Sequence, residues 1–193
     1  MKKLMLAMAI VCATAMTQAA TTKWTATTGS NAIYLPGSTT SILSSGTAYL
    51  FCLSTVDGAE SLTTYSQSDI VTEFKSGTDI STLDYQRSLT ISDGKIASTS
   101  FTSEDFATGK LTKFFFAVVD GDNIYISGTA QRTSNATTPQ ALSFNPTAAS
   151  QAALKDINDG YSASGWYGVV PEPTSGLLML LGVAGLALRR KRA

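Results

Sequence analysis

The segment TAYLFCLS, residues Thr47–Ser54, is a near-continuous apolar run. Eight residues rich in aromatic and aliphatic side chains match the usual length of a buried strand and are too few for a typical helix. A second apolar run, Phe114–Val119, is followed by Asp120-Gly121-Asp122 and then by Asn123–Ser127. This order predicts a hairpin, because Asp and Gly readily form tight turns. The two runs favour a sheet-based core.

Turn residues separate the other predicted strands. Asp93-Gly94 lies between Ser88–Ser92 and Lys95–Thr99, and this dipeptide is the strongest hairpin signal in the chain. Strands are also predicted over three further segments, which are Lys23–Thr27, Ala32–Leu35 and Trp166–Gly168. They indicate a mainly β protein.

Two segments carry helix signals, and Ser103–Phe106 is typical of a short capped turn. Ser68–Lys75 begins with Ser68 as a predicted N-cap and is followed by Gly77; Thr147–Ile157 follows Pro146 and ends before Gly160. The predicted fold is one mainly antiparallel β domain over residues 20–169, a sandwich or an open sheet, with two or three short helices.

The first 19 residues have the pattern of a secretory signal peptide. Lys2 and Lys3 are followed by the apolar stretch Leu4–Ala15, and the small residues Thr17 and Ala19 precede the predicted cleavage after Ala19. Signal peptidase is therefore an expected partner. Cys12 lies inside the apolar stretch, so we expect it to leave with the peptide.

The C-terminal segment, residues 170–193, has three ordered parts. The motif Val170-Pro171-Glu172-Pro173 comes first, and the uncharged residues 174–188 form a predicted transmembrane helix. The basic residues Arg189, Arg190, Lys191 and Arg192 then precede Ala193. Four consecutive cations favour the cytoplasmic side of a membrane, since moving them through hydrocarbon is costly.

This tripartite tail resembles the PEP-CTERM sorting signal of Gram-negative bacteria, a module also catalogued as an ice-binding protein C-terminal domain. The resemblance implies that a membrane-embedded exosortase recognises the motif and removes the tail during export. It also implies membrane insertion before processing, followed by a place in the cell envelope, at the cell surface or in an extracellular matrix. Proteins of this kind are associated with bacteria that produce exopolysaccharide, so extracellular polysaccharide is a further expected partner.

The exported segment is acidic and rich in hydroxyls. Residues 20–170 contain eight Lys and Arg against thirteen Asp and Glu, although the whole chain has zero net charge. The resulting net charge of −5 argues against nucleic acid as a partner. Ser and Thr account for 46 of these 151 residues, which suits half-exposed strands and also leaves O-glycosylation open.

No catalytic residue, cofactor or metal site is predicted. The chain contains no histidine, which excludes a Ser-His-Asp triad and a His-based zinc site. Asp120-Gly121-Asp122-Asn123 resembles the start of a calcium loop, but Gln131 stands where the loop needs its final Glu. The remaining candidates are predicted to be non-catalytic, with the acidic pairs at the surface and the thiol buried. They are the carboxylate pairs Glu104/Asp105 and Asp156/Asp159, the pair Ser92 and Lys95, and the single thiol Cys52.

These features predict an exported, non-catalytic surface or matrix protein. The alternative is a carbohydrate-binding or adhesive module, in which some aromatic side chains would form a stacking surface. The aromatic candidates are Trp24, Tyr34, Tyr49, Tyr65, Tyr85, Tyr125, Trp166 and Tyr167. A secreted hydrolase is the third and least favoured class, because no histidine and no converging carboxylates support it.

Overall fold

Two β-sheets form the framework of the protein. The computed structural model describes residues 21–170, apart from 54–62, 104–105 and 107. The strands, in chain order, are β1 Thr22–Thr27, β2 Ser45–Cys52, β3 Arg87–Ser92, β4 Lys95–Ile96, β5 Thr99–Ser103, β6 Leu111–Asp120, β7 Asn123–Ile126, β8 Ala130–Thr133, β9 Gln140–Ser143, β10 Leu154–Asp156 and β11 Gly165–Gly168. The helices are α1 Gln67–Lys75 and α2 Ala148–Gln151, with 3₁₀ turns at Ile80–Thr82 and Ile157–Asp159.

The large sheet has the order β10-β11-β7-β6-β2-β3-β4, and β8 pairs with the first half of β6. The small sheet has the order β5-β1-β9. Most pairs are antiparallel, whereas β1–β9 and β10–β11 are parallel. The mainly β prediction is confirmed, and the two sheets with two α-helices are consistent with a β-sandwich.

Both faces of the large sheet are covered, which explains the continuous apolar runs. Phe114, Phe116 and Val118 of β6 point into a cluster shared with the small sheet, where the Trp24 and Phe114 rings lie 5.1 Å apart. Phe115 and Ala117 point to the opposite face, into a second cluster that contains Ile70 and Val71 of α1. Alternate residues of a strand face opposite sides, so a strand buried on both sides must be apolar throughout.

The N-cap of helix α1 lies two residues earlier than the sequence predicts. Ser66, not Ser68, is the N-cap: its hydroxyl accepts from the Asp69 N–H at 3.1 Å. The Asp69 carboxylate accepts in return from the Ser66 N–H at 2.7 Å, which completes a capping box. Both serines have suitable side chains, but only Ser66 has an acidic residue three positions later. The end of the helix is as predicted, with Gly77 at φ +86°.

The Asp93-Gly94 hairpin is confirmed, but its second strand is shorter than predicted. Asp93 and Gly94 have φ of 49° and 71°, as a type I′ turn requires. The predicted strand Lys95–Thr99 is divided between β4 in the large sheet and β5 in the small one. Ile96 accepts from the Thr28 N–H at 3.3 Å and donates to the Thr28 hydroxyl at 3.0 Å, which marks where the chain crosses between sheets.

The helix predicted over Thr147–Ile157 is present only in its first part, because α2 spans Ala148–Gln151 and Leu154–Asp156 form β10 instead. Pairing with β11 replaces the helical hydrogen bonds there. The buried Gln151 side chain accepts from the Tyr34 N–H at 2.7 Å and donates to the Ala32 carbonyl at 3.1 Å. The predicted strand Ala32–Leu35 is likewise reduced to a single bridge from Tyr34 to Ile42, since Gln151 occupies its backbone.

Candidate functional site

The candidate site lies at the junction between the folded domain and the C-terminal tail. Strand β11 is buried along its whole length, between β7 and β10. Its Trp166 indole donates to the Tyr34 carbonyl at 2.9 Å. A Cβ on Gly165 would lie 2.5 Å from the Ser150 carbonyl oxygen, and one on Gly168 would overlap the Asn123 side-chain oxygen. At Gly165 the obstacle is backbone, so this end of the strand requires glycine, whereas at Gly168 the end of the Asn123 side chain would have to move.

Tyr167 and Lys155 fix the loop that precedes β11. The Tyr167 hydroxyl accepts from the N–H groups of Ser162 at 3.1 Å and Ala163 at 3.0 Å, and donates to the Ala163 carbonyl. The Lys155 ammonium donates to the carbonyls of Ala163 at 2.6 Å and Ser164 at 2.8 Å. Burial by itself would raise the pKa of the Tyr167 hydroxyl, but the Ala163 and Ser162 N–H groups and Lys155 together lower that pKa. The Tyr167 and Lys155 side chains thus stabilise the loop at residues 162–164.

A groove of about 720 Å³ opens beside the end of β11, and we call it the exit groove. Three chain segments and Val169 form its walls. Its lining residues are Phe74, Lys75, Gly77, Thr78, Gly121, Asp122, Asn123, Ile157, Asn158 and Val169. Val169 is 67% exposed, the highest value among the large apolar side chains described as exposed. Within the described residues, neither Lys75 nor Asp122 has an ion-pair partner.

The predicted sorting motif starts at the rim of this groove. Val170 is half-buried and is the last residue that the structure describes. Pro171, Glu172 and Pro173 lie outside the described residues, as do the basic residues 189–192, the predicted membrane segment 174–188 and the cleavage residue Ala19. Pro171 is three positions after Gly168, so their Cα atoms are at most about 11 Å apart even in an extended chain. Among the described residues, no helix is long and apolar enough to cross a membrane.

The acidic candidates for chemistry serve turns and caps. Asp120 and Asp122 belong to the β6–β7 hairpin, where Asp120 pairs with Asn123, as the turn interpretation predicts. Asp156 caps the following 3₁₀ turn by accepting from the Asn158 N–H at 2.8 Å. Glu104 and Asp105 lie outside the described residues. In the described ranges, no group of three or more Cys, Asp or Glu residues is placed to hold a metal ion.

The remaining nucleophile candidates lack a suitable environment. Ser92 and Lys95 face each other across the Asp93-Gly94 hairpin, and both are exposed to water. Cys52 is buried in the cluster between the sheets. Burial raises the pKa of its thiol to about 12, although a weak bond to the Leu53 carbonyl opposes this. The thiolate, which is the reactive form, is therefore strongly disfavoured.

The aromatic candidates divide into two groups. Trp24, Tyr125, Trp166 and Tyr167 are fully buried, so they are core residues. Tyr49, Tyr65 and Tyr85 are half-buried around Phe51 on the α1 side of the large sheet. The Tyr49 and Tyr85 rings lie 5.0 Å apart at 60°, and the Phe51 and Tyr65 rings 5.5 Å apart at 77°. Tyr34 is also half-buried, on the loop held by Gln151.

The exit groove was not predicted from the sequence. Its walls come from residues 74–78, 121–123 and 157–158, which are far apart in the chain. Glycines and polar turn residues in each segment indicate loops, but no sequence signal shows that the loops meet beside Val169.

Residues 169–192 match the family model described as the PEP-CTERM protein-sorting motif. The match thus begins at Val169, the residue that lines the exit groove, and extends to Arg192. Comparison with curated proteins and with solved structures gave no match for the chain.

Proposed function

We propose that this chain, whose residues 169–192 carry a PEP-CTERM protein-sorting motif, is a non-catalytic protein of the cell surface or extracellular matrix. The motif itself implies export, membrane-anchored sorting toward the cell surface and processing by a membrane exosortase. The finer assignment, a structural rather than an enzymatic role, rests on the side chains of the domain.

One observation carries the proposal: the sorting motif begins where the last strand ends. Every residue of β11 is buried, and the match starts at the next residue, Val169. The domain therefore has its strands and core within residues 21–168, so removal of the tail would take away no element of either sheet. This separation suits a passenger that is released or transferred as a folded unit.

The side-chain chemistry supports a structural role. Asp156 serves as a cap, Asp120 and Asp122 lie in a hairpin, and Cys52 is buried with a raised thiol pKa. A hydrolase would need a nucleophile or a pair of carboxylates aimed at a common cleft. The exit groove offers Asp122 as the only carboxylate among its lining residues.

The mature C-terminus tests the sorting assignment. Mass spectrometry of protein recovered from the cell surface is expected to find a C-terminal peptide that ends near Pro171-Glu172-Pro173. The N-terminus is expected at Ala20. Recovery of mature protein that still ends in Arg192-Ala193 would show instead that the tail is a permanent anchor.

A carbohydrate-binding module is the second candidate, and the half-buried tyrosines favour it. Tyr49 lies opposite Ser88 on β3, and the next exposed pair along the same strands is Thr47 with Thr90. Together with Tyr85, these residues form an uncharged surface of phenol rings and hydroxyls. Sugars stack on aromatic faces and bond to hydroxyls, so a neutral polysaccharide is the class that fits.

A glycan array with the mature protein tests this candidate. If the tyrosine surface binds sugar, Tyr85→Ala should weaken binding about fivefold, since one ring contact is worth roughly 1 kcal/mol. Tyr161→Ala is the matched control, because Tyr161 is also half-buried but packs on Tyr167, with ring centroids 5.8 Å apart. Absence of binding, or equal losses in both variants, would rule out this surface.

A further inference from the structure

We propose that the exit groove and its rim are a docking surface for the membrane enzyme that processes the tail. The inference rests on the proposed sorting function and adds a second contact to it. The enzyme would recognise Pro171-Glu172-Pro173 in the chain and, at the same time, the folded domain beside the motif. The residues that line this surface include Phe74, Lys75, Thr78, Asp122, Ile157 and Val169.

The short tether makes contact between the enzyme and the domain unavoidable. Gly168 is held in the sheet by β7 and β10, and Pro171 is at most about 11 Å away. A folded protein of 100 residues already has a radius of gyration of about 13 Å, and an enzyme that encloses the motif is at least that size. It cannot bind an extended segment at this distance without touching the end of the domain.

The end of the domain that it would touch is the exit groove. Val169 belongs both to the groove and to the matched sorting segment, so the groove adjoins the start of that segment. The groove combines apolar groups with polar ones, since Phe74 is half-buried, Val169 is 67% exposed, and Lys75 and Asp122 are unpaired in the described structure. Exposed apolar groups ringed by charges are typical of protein interfaces.

The charges of the groove favour a protein over a lipid surface. Lys75 is the only cation among the lining residues, and Asp122 offsets it. An anionic membrane surface attracts clusters of four or more basic residues, which this groove does not provide. A complementary protein surface can satisfy one cation and one carboxylate individually, and such pairs contribute to specificity and to the rate of association.

Two substitutions in the groove test the inference in cells that carry the processing enzyme. Both substitutions are made in the full-length precursor. Lys75→Glu reverses the charge of the only cation among the lining residues, and Thr78→Trp places a large ring in the groove. Matched controls are Lys95→Glu on β4 and Thr102→Trp on β5, because both residues are exposed to water and lie outside the exit groove. Pulse-chase labelling is expected to show about tenfold slower conversion for the groove variants, as for a central interface residue. The controls should convert at the wild-type rate.

A flexible linker variant distinguishes a loss of docking from a loss of folding. With about ten Gly and Ser residues inserted between Val169 and Val170, the motif at residues 170–173 stays intact and the enzyme can bind it without touching the domain. Lys75→Glu should then have no effect on conversion. All groove variants should also keep the thermal midpoint of the wild type, measured on the mature protein.

Two outcomes would overturn the inference. Wild-type conversion rates in both groove variants would show that the enzyme does not use this surface. Faster conversion of Lys75→Glu would show that the groove shields the motif instead of presenting it. The underlying sorting function fails by a different result, namely normal conversion of a chain that lacks Pro171-Glu172-Pro173, so the two failures are distinguishable.

Discussion

Replacing Pro171, Glu172 and Pro173 by alanine will stop maturation and leave the full-length chain in the membrane. Proline cannot continue a helix, so Pro171 and Pro173 favour an extended chain that an enzyme can bind. Glu172 is the only charged residue between Asp159 and Arg189, which makes it the natural recognition group. Alanine removes the charge and favours a helix continuous with the apolar segment.

The measurement is the ratio of precursor to mature protein in membrane and surface fractions, determined by mass spectrometry. We expect at least about a hundredfold fall in conversion, corresponding to loss of roughly 3 kcal/mol of recognition. Thr174→Ala, next to the motif, is the control and should mature normally. Because the motif lies beyond β11, the domain should keep the unfolding midpoint of the wild type. Efficient maturation of the triple alanine variant would contradict the sorting assignment.

Gly165→Ala will have the largest effect on folding stability of any glycine substitution in the described domain. Gly165 has φ +145°, a region that L-residues rarely adopt, and an added Cβ would lie 2.5 Å from the Ser150 carbonyl oxygen. The obstacle is backbone, so relief requires moving α2 or β11. We expect the free energy of unfolding to fall by about 3 kcal/mol or more, from steric strain together with the unfavourable φ.

Urea denaturation of the mature protein measures this loss. Gly128→Ala is the matched control, because Gly128 is exposed, has no positive φ and has open space around its Cβ position. It should change the free energy of unfolding by no more than about 0.5 kcal/mol. A Gly165→Ala protein as stable as the control would show that β11 can shift away from Ser150 at little cost.

The parts of the fold that depend on local chemistry were predictable from the sequence. Asp93-Gly94 forms its hairpin because both positions need positive φ, which these two residues tolerate. The apolar runs in β2 and β6 indicate central strands because a strand covered on both faces needs an apolar residue at every position. Gly77 likewise ends α1 as expected.

The parts that depend on distant partners were not predictable. Residues 154–156 have helix-compatible composition after Pro146, yet they pair with β11, whose partner residues come twelve positions later. Ala32 and Tyr34 bond to the Gln151 side chain more than a hundred residues away, so their strand pattern was misleading. The sequence also has no signal for the crossing of the chain between sheets after Ile96.

The two parts of the candidate site, the motif and the groove, also differ in whether the sequence predicts them. The motif at residues 170–173 is a contiguous string and was predicted from the sequence, with a family match that covers it. The exit groove depends on the meeting of α1, the β6–β7 turn and the 3₁₀ turn at Ile157–Asp159, which requires the whole large sheet. The sorting motif can therefore be predicted from the sequence, whereas the exit groove depends on contacts between segments that are distant in the chain.

The position of β11 also sets the timing of folding during export. β10 pairs with β11 in the described sheet, and the Trp166 indole of β11 donates to the Tyr34 carbonyl. Neither β10 nor the loop at Tyr34 can make these contacts before residues 165–168 have emerged. Such long-range pairing is slow to form because distant segments must first meet. The large sheet is therefore complete only after residues 165–168, which directly precede the sorting segment at 169–192, have joined it.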